Sequence, residues 1–189
     1  AGSLRAPVEI IEERTVGPSL GKDNIEQGFN SVVVGFALVL VFMAVYYKTF
    51  GLLANVALTL NLVLIMAVLS LLQATLTLPG IAGLVLTIGM AVDANVLVFE
   101  RIREELRTAK GPARAIELGY ERALSAIVDA NITTFIAAVI LFAIGSGPVR
   151  GFSVTLGLGI ITSLFTALLV TRMMVGLWFD AKKPKTVEV

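Results

Sequence analysis

The chain has 189 residues, 57% of them hydrophobic and 15% charged, with a formal net charge of +1. A mean hydropathy of +0.90 places it among multi-span membrane proteins, and so balanced a charge excludes a global field that would gather nucleic acid or acidic substrates. It has no cysteine and no histidine, which removes disulfides, thiolate chemistry and the commonest general base and metal ligand; no catalytic residue, metal or cofactor is expected, and the chain is not expected to be an enzyme.

Residues 7–16 alternate like a short strand, with Val8 and Ile10 on one face and Glu9 on the other. Gly17, Pro18 and Gly21 punctuate a turn after it. Asp23 with Glu26 three residues on reads as a capping box. A helix starting there would pass through Phe29 straight into the first apolar run. The turn is therefore expected to couple whatever lies before it to the membrane helices.

Apolar runs follow at about 31–47, 53–72, 81–99, 127–144 and 152–179, each near or above the ~20 residues that cross a hydrocarbon core as helix. In lipid the backbone must satisfy its own hydrogen bonds, so helices are the expected spanning form. The expected fold is all-α, a polytopic transmembrane bundle of about five spans. Residues 1–22 read as the strand-like end of an external domain with its linker, and 23–180 as the membrane domain. A cytoplasmic amphipathic connection is expected at 100–124 and a cytoplasmic tail at 181–189.

Arg101, Arg103, Arg107, Lys110, Arg114 and Arg122 follow the third run, and Arg172, Lys182, Lys183 and Lys185 close the chain. The turn at 73–80 carries no charge and 145–151 only Arg150. One orientation fits, with the N-terminal residues outside and the C-terminus in the cytoplasm. Arg101 and Arg103 then read as cytoplasmic anchors. Residues 1–30 would lie outside with no signal peptide's charged and apolar regions ahead of them. A truncated chain, its missing part holding another span and an external domain, is favoured over a short exposed tail.

Asp93 stands within the third run. An ionised carboxylate at the middle of a membrane helix costs between ~3 and well over ~10 kcal/mol, depending on the water that reaches it. It is expected to sit among helices, away from bulk solvent, on a wet path or a protein-protein seam; the alternative is a mere hydrogen-bond acceptor for a neighbouring helix. Asn95 belongs to the same stretch. Asn131, Thr133 and Thr134, early in a fourth span running the opposite way, would lie at similar depth and could hold the carboxylate or a water chain. For the two threonines, bonding back to their own helix is the competing reading. Asp129 fits the interface, and Asn61 a helix–helix hydrogen bond.

Beyond Gly111 and Pro112, the residues Ala113, Ile116, Tyr120, Ala123 and Ile127 form one stripe, read as an amphipathic helix on the inner surface. Gly89, Ala91 and Ala94 in the third span, and Gly157 and Gly159 in the last, are small enough for close helix packing. Residues 145–151 make a tight outer turn. No strand precedes a Gly-rich loop and there is no Walker lysine, so use of ATP is not expected.

The stretch from Gly89 through Asp93 to Glu105, the element Glu13–Gly21 and the stretch Asp129–Thr134 together resemble the SecD/SecF family, relatives of the resistance-nodulation-division transporters. The likeness covers nearly the whole chain. It implies a bacterial inner-membrane protein with six spans and a large periplasmic domain after the first, of which this chain would hold the last five spans. Members work with SecF beside the SecYEG channel, often with YajC, and use the proton-motive force to pull preproteins across the membrane after ATP-driven translocation. The resemblance implies that Asp93 is the proton-pathway residue. Two other readings stand beside this one: a proton-coupled exporter of small molecules or lipids, and a non-transporting translocon scaffold.

Overall fold

The computed structural model describes residues 18–74, 76–109, 111–184 and 187, with side chains from residue 23 onward. The predicted strand at 7–16 and Gly17 lie outside the described residues. Among the described residues the regular elements are all helical: α1 (Pro18–Leu71), α2 (Leu78–Glu105), α3 (Pro112–Ile144), α4 (Gly147–Phe165) and α5 (Arg172–Lys182), the last two joined through a π-helical turn at Thr166–Thr171. The all-α expectation holds.

Helix α1 starts earlier than the sequence suggests. Pro18 is already its first residue, a place where the missing N–H costs nothing and the fixed φ suits a helix. Pro18 and Gly21 are thus helical rather than in a turn, and Asp23 lies inside the helix rather than capping it.

Within α1 the backbone folds back on itself at Lys48 (φ 48°, ψ −118°). Asn55 Nδ2 donates to the Leu40 carbonyl at 2.8 Å across this tip. Leu58, clustered with Ile88 and Ala91 of α2, packs together with Val32, Phe36, Val39 and Leu40. Gly51 is required there, because a Cβ would run into the Met43 carbonyl. The element is therefore an antiparallel hairpin of two apolar legs, residues 18–47 and 49–71. With α2, α3 and the α4–α5 helix, each long and apolar enough to cross a membrane, it makes up the bundle.

Helix α2 runs through its centre. It begins at an N-cap in which Thr77 Oγ1 accepts from the Gly80 N–H, and Pro79 occupies the first turn. Helix α4 lies parallel to it. A Cβ on Gly83 would touch the Phe152 carbonyl and Thr155 at 3.3 Å, and one on Gly159 would overlap Thr87. Gly151, Thr155, Gly159, Ser163 and Ala167 recur every four residues on the α4 helix and its π turn. Such small residues let helix backbones approach where lipid supplies no hydrophobic drive to association. Gly157 is only in ordinary contact with Phe135, and Gly89 is exposed with nothing near its Cβ position. The expectation that those two mark close packing is corrected.

Helix α3 runs antiparallel to α2, with Gly119 pressed against the Ile102 backbone. It continues from Pro112 to Ile144 without a break. The predicted amphipathic connection is thus not a separate surface helix: residues 112–124 are the first turns of the helix that carries the fourth apolar run. Tyr120, Ala123 and Ile127 are buried, Ile116 partly so, while Ala113 is exposed and Ala115 takes its place. At this end an aromatic cluster closes the bundle, with Phe50 edge-on to Phe99 (5.4 Å) and Trp178 (5.6 Å), and Tyr47 beside Phe99.

Candidate functional site

Asp93 lies near the middle of α2, within the apolar run. It is not buried, as the sequence suggested, but exposed on the open side of the bundle. The reason lies in the helical period: Ala91, Ala94 and Asn95 take the inward faces of α2, and Asp93 falls between them. Its side chain lines a cleft of about 160 Å³ between α2 and α3, with Met90 and Leu97 on its own helix and Ile127, Asn131 and Thr134 opposite. Among the described residues it makes no ion pair or hydrogen bond.

The antiparallel register delivers this meeting. Gly119 sits beside Ile102, and as one helix rises the other descends, which brings Asn131 and Thr134 to the level of Asp93 and Met90. Asn131 is buried and donates to the Ile127 carbonyl at 2.7 Å, leaving its second amide N–H and its carbonyl oxygen for other partners. Thr134 donates to the Ala130 carbonyl at 3.1 Å, which leaves its oxygen able to accept.

Two expected neighbours are not there. Asn95 is two residues from Asp93, hence about 200° round the helix. It is buried on another face, where Nδ2 donates to Ala91 O at 3.1 Å and Oδ1 has no partner among the described residues. Thr133 is exposed, bonds back to Asp129 O at 3.0 Å, and does not line the cleft. Asn61 is buried with an unpartnered Oδ1, away from the cleft lining.

The charged end of α2 is tied to its neighbours. Glu100 accepts from Arg103 at 2.7 Å and from Tyr47 OH at 3.0 Å, and the Arg103 guanidinium stacks over the rings of Tyr46 and Tyr47. Arg101 pairs with Glu104 on the exposed surface. Glu105, 5% exposed, accepts from Arg122 of α3 at 2.5 Å. That bond ties α2 to α3 beyond the end of the cleft.

Chemically, the cleft offers one titratable oxygen pair beside an amide and a hydroxyl oxygen, walled by apolar side chains. An ionised carboxylate here demands water or a cation, whereas a protonated one can donate to a neighbouring oxygen and meet hydrocarbon at far lower cost. The sequence signal for the buried seam on another side of α2, a four-residue repeat of small residues in α4, is readable.

Residues 3–181 match the family described as "Protein export membrane protein SecD/SecF, C-terminal". The chain is 58% identical, over its whole length, to the protein translocase subunit SecD of Magnetococcus marinus, of which it covers 36%. It is 62% identical over 91% of its length to that of Desulfurispirillum indicum, covering 33%. Its fold is similar to the crystal structure of SecDF, a translocon-associated membrane protein from Thermus thermophilus, with a TM-score of 0.86, 43% identity, and coverage of 91% of this chain and 24% of that one. SecDF in its super-membrane-facing form matches with a TM-score of 0.82 over 92% of this chain and 23% of the other. The chain spans about a third of the length of the curated relatives it matches.

Proposed function

Because the chain belongs to the SecD/SecF family of protein-export membrane proteins, we propose that it is the membrane part of a Sec translocase subunit whose Asp93 takes up and releases protons to assist preprotein translocation. It resides in the bacterial inner membrane, with its Lys/Arg-rich end in the cytoplasm. The observation that carries the reading is the position of Asp93: a lone carboxylate on the open side of a membrane helix, in a cleft with Asn131 and Thr134.

Protonation removes a charge from that cleft, so the packing of α3, or of a partner subunit, against α2 differs between the two states. A proton moving down the membrane potential supplies ~2.3 kcal/mol per 100 mV, enough to bias a two-state element. Helix α2 is gripped by α4, so the displacement falls on the α2–α3 side and on the first leg of α1, which leads out of the bundle. SecF is the partner that covers the open face and supplies a cation there, with SecYEG and YajC alongside.

The test is Asp93→Asn in the full-length protein, assayed in inverted membrane vesicles with a proton-motive force imposed and ATP withheld after initiation. Loss of proton-driven completion of translocation, with unchanged assembly, is the expected result. Normal completion would end the proton-pathway reading. Loss of assembly with SecF and no pH-dependent signature would favour a scaffold instead.

A further inference from the structure

A second polar feature lies at the cytoplasmic-side end of the bundle, between the start of α3 and the junction of the π turn with α5. Here a groove of about 300 Å³ is lined by Glu117, Tyr120, Glu121, Leu124, Leu168 and Arg172. A smaller cleft of about 200 Å³ continues from it past Arg172 and Tyr120 to Asp180. Its position follows from register. Gly119 is level with Ile102, just past the residues where α2 leaves its apolar run, so the groove straddles the membrane interface. Leu124 and Leu168 form its end toward the hydrocarbon, and Leu124 is 44% exposed.

Two opposite charges share this groove, Arg172 and Glu121, and among the described residues they are not paired with each other. The Arg172 guanidinium lies over the Tyr120 ring, 5.6 Å from its centroid. Among the described residues it pairs with no carboxylate, although Glu117 and Glu121 share the groove. Glu117 is engaged by Arg114 at 2.5 Å, while Glu121 has no ion pair among the described residues. Tyr120 is 3% exposed, and its hydroxyl has no hydrogen-bond partner among the described residues. A buried hydroxyl without a partner is costly enough that one is normally supplied. With Glu117 held by Arg114, one carboxylate, Glu121, and one guanidinium, Arg172, are left unmatched in the groove, so a purely anionic ligand is repelled at one end. A dipolar ligand satisfies both ends.

We propose that this groove binds one membrane phospholipid with an ammonium-bearing headgroup, of the phosphatidylethanolamine class. The phosphate takes the Arg172 guanidinium, which presents a fork of donors matched to phosphate oxygens. The ammonium faces Glu121, and the acyl chains descend past Leu124 and Leu168. The register of Arg172 is set by the π turn immediately before it, where Thr171 Oγ1 donates to Thr166 O at 3.1 Å.

The test is native mass spectrometry of the detergent-purified full-length protein titrated with palmitoyl-oleoyl phosphatidylethanolamine, with phosphatidylglycerol of the same chains, and with inorganic phosphate. The wild type should retain one phosphatidylethanolamine more tightly than phosphatidylglycerol, and millimolar phosphate should not displace it. Arg172→Gln should weaken that lipid about tenfold or more, and Arg172→Lys should restore part of the loss. Glu121→Gln, an exposed substitution that keeps the fold, should narrow the preference between the two lipids. Equal retention by wild type and Arg172→Gln would overturn the proposal, as would phosphatidylglycerol binding at least as tightly. Displacement by inorganic phosphate would overturn it in favour of a free-anion site. If Arg172→Gln does not fold, an unchanged lipid preference in Glu121→Gln overturns the proposal by itself.

Discussion

Along one side of α2, Gly83 and Thr87 lie so close to α4 that a single methyl group on Gly159 would overlap the threonine. Along another, Met90, Asp93 and Leu97 stand off from α3 across a cleft of about 160 Å³. Small residues and hydroxyls bonded to their own backbone, such as Thr87 to Gly83 O at 2.8 Å, make the first seam closely packed. The second holds a carboxylate with no fixed partner among the described residues. One helix thus has a fixed side and a responsive side. A change of charge at Asp93 is taken up where packing is loose, because the α2–α4 contact has no slack to give.

The contrast can be broken most directly at Gly159. Gly159→Val should destabilise the fold by about 1–3 kcal/mol, the usual cost of overpacking, read from reversible unfolding in mixed micelles. Thr87→Ala in the same chain should recover part of it, and unchanged unfolding would mean the seam is not tight. Asn131→Leu sharpens the other side. It should cost about 0.5–1.5 kcal/mol for the lost hydrogen bond yet depress proton-driven translocation in vesicles well beyond what that loss explains. Removing the tie at the charged end with Glu105→Gln should cost about 0.5–1 kcal/mol, and a double-mutant cycle with Arg122→Gln should assign that energy to the pair. Thr133→Val is the control: off the cleft and bonded to its own helix, it should change stability by less than about 0.5 kcal/mol and leave translocation untouched.

Helices and their apolar runs were legible because hydropathy sums over many residues. The meeting of Asp93 with Asn131 and Thr134 was legible too, since antiparallel spans put those positions at one depth. Direction around a helix was harder. Asn95 is close to Asp93 in sequence, yet two helical steps carry it to another face. The exposure of Asp93 was not readable from α2 alone, because it depends on where α3 and α4 settle. The hairpin tip rests on Lys48 in a positive-φ conformation, which residue preference argues against. The π turn has no sequence signature in Thr166–Thr171, and by sequence Arg172 is one more cytoplasmic cation, whereas in the fold its guanidinium lies over the Tyr120 ring.

That π turn governs how the long final helix meets its neighbours. A pattern repeating every four residues outruns the 3.6-residue α period by about 40° at each step, so a straight helix would carry the stripe from Gly151 to Val175 most of the way around its axis. Accommodating one surplus residue in a wider turn winds the face back by about 100°. The side that grips Thr87 at Gly159 can therefore reach the aromatic cluster again through Val175, fully buried, and Trp178. Excising a single residue from the widened turn would leave the upper contacts intact and rotate everything below them, separating the two halves of one helix as a key is turned in a lock.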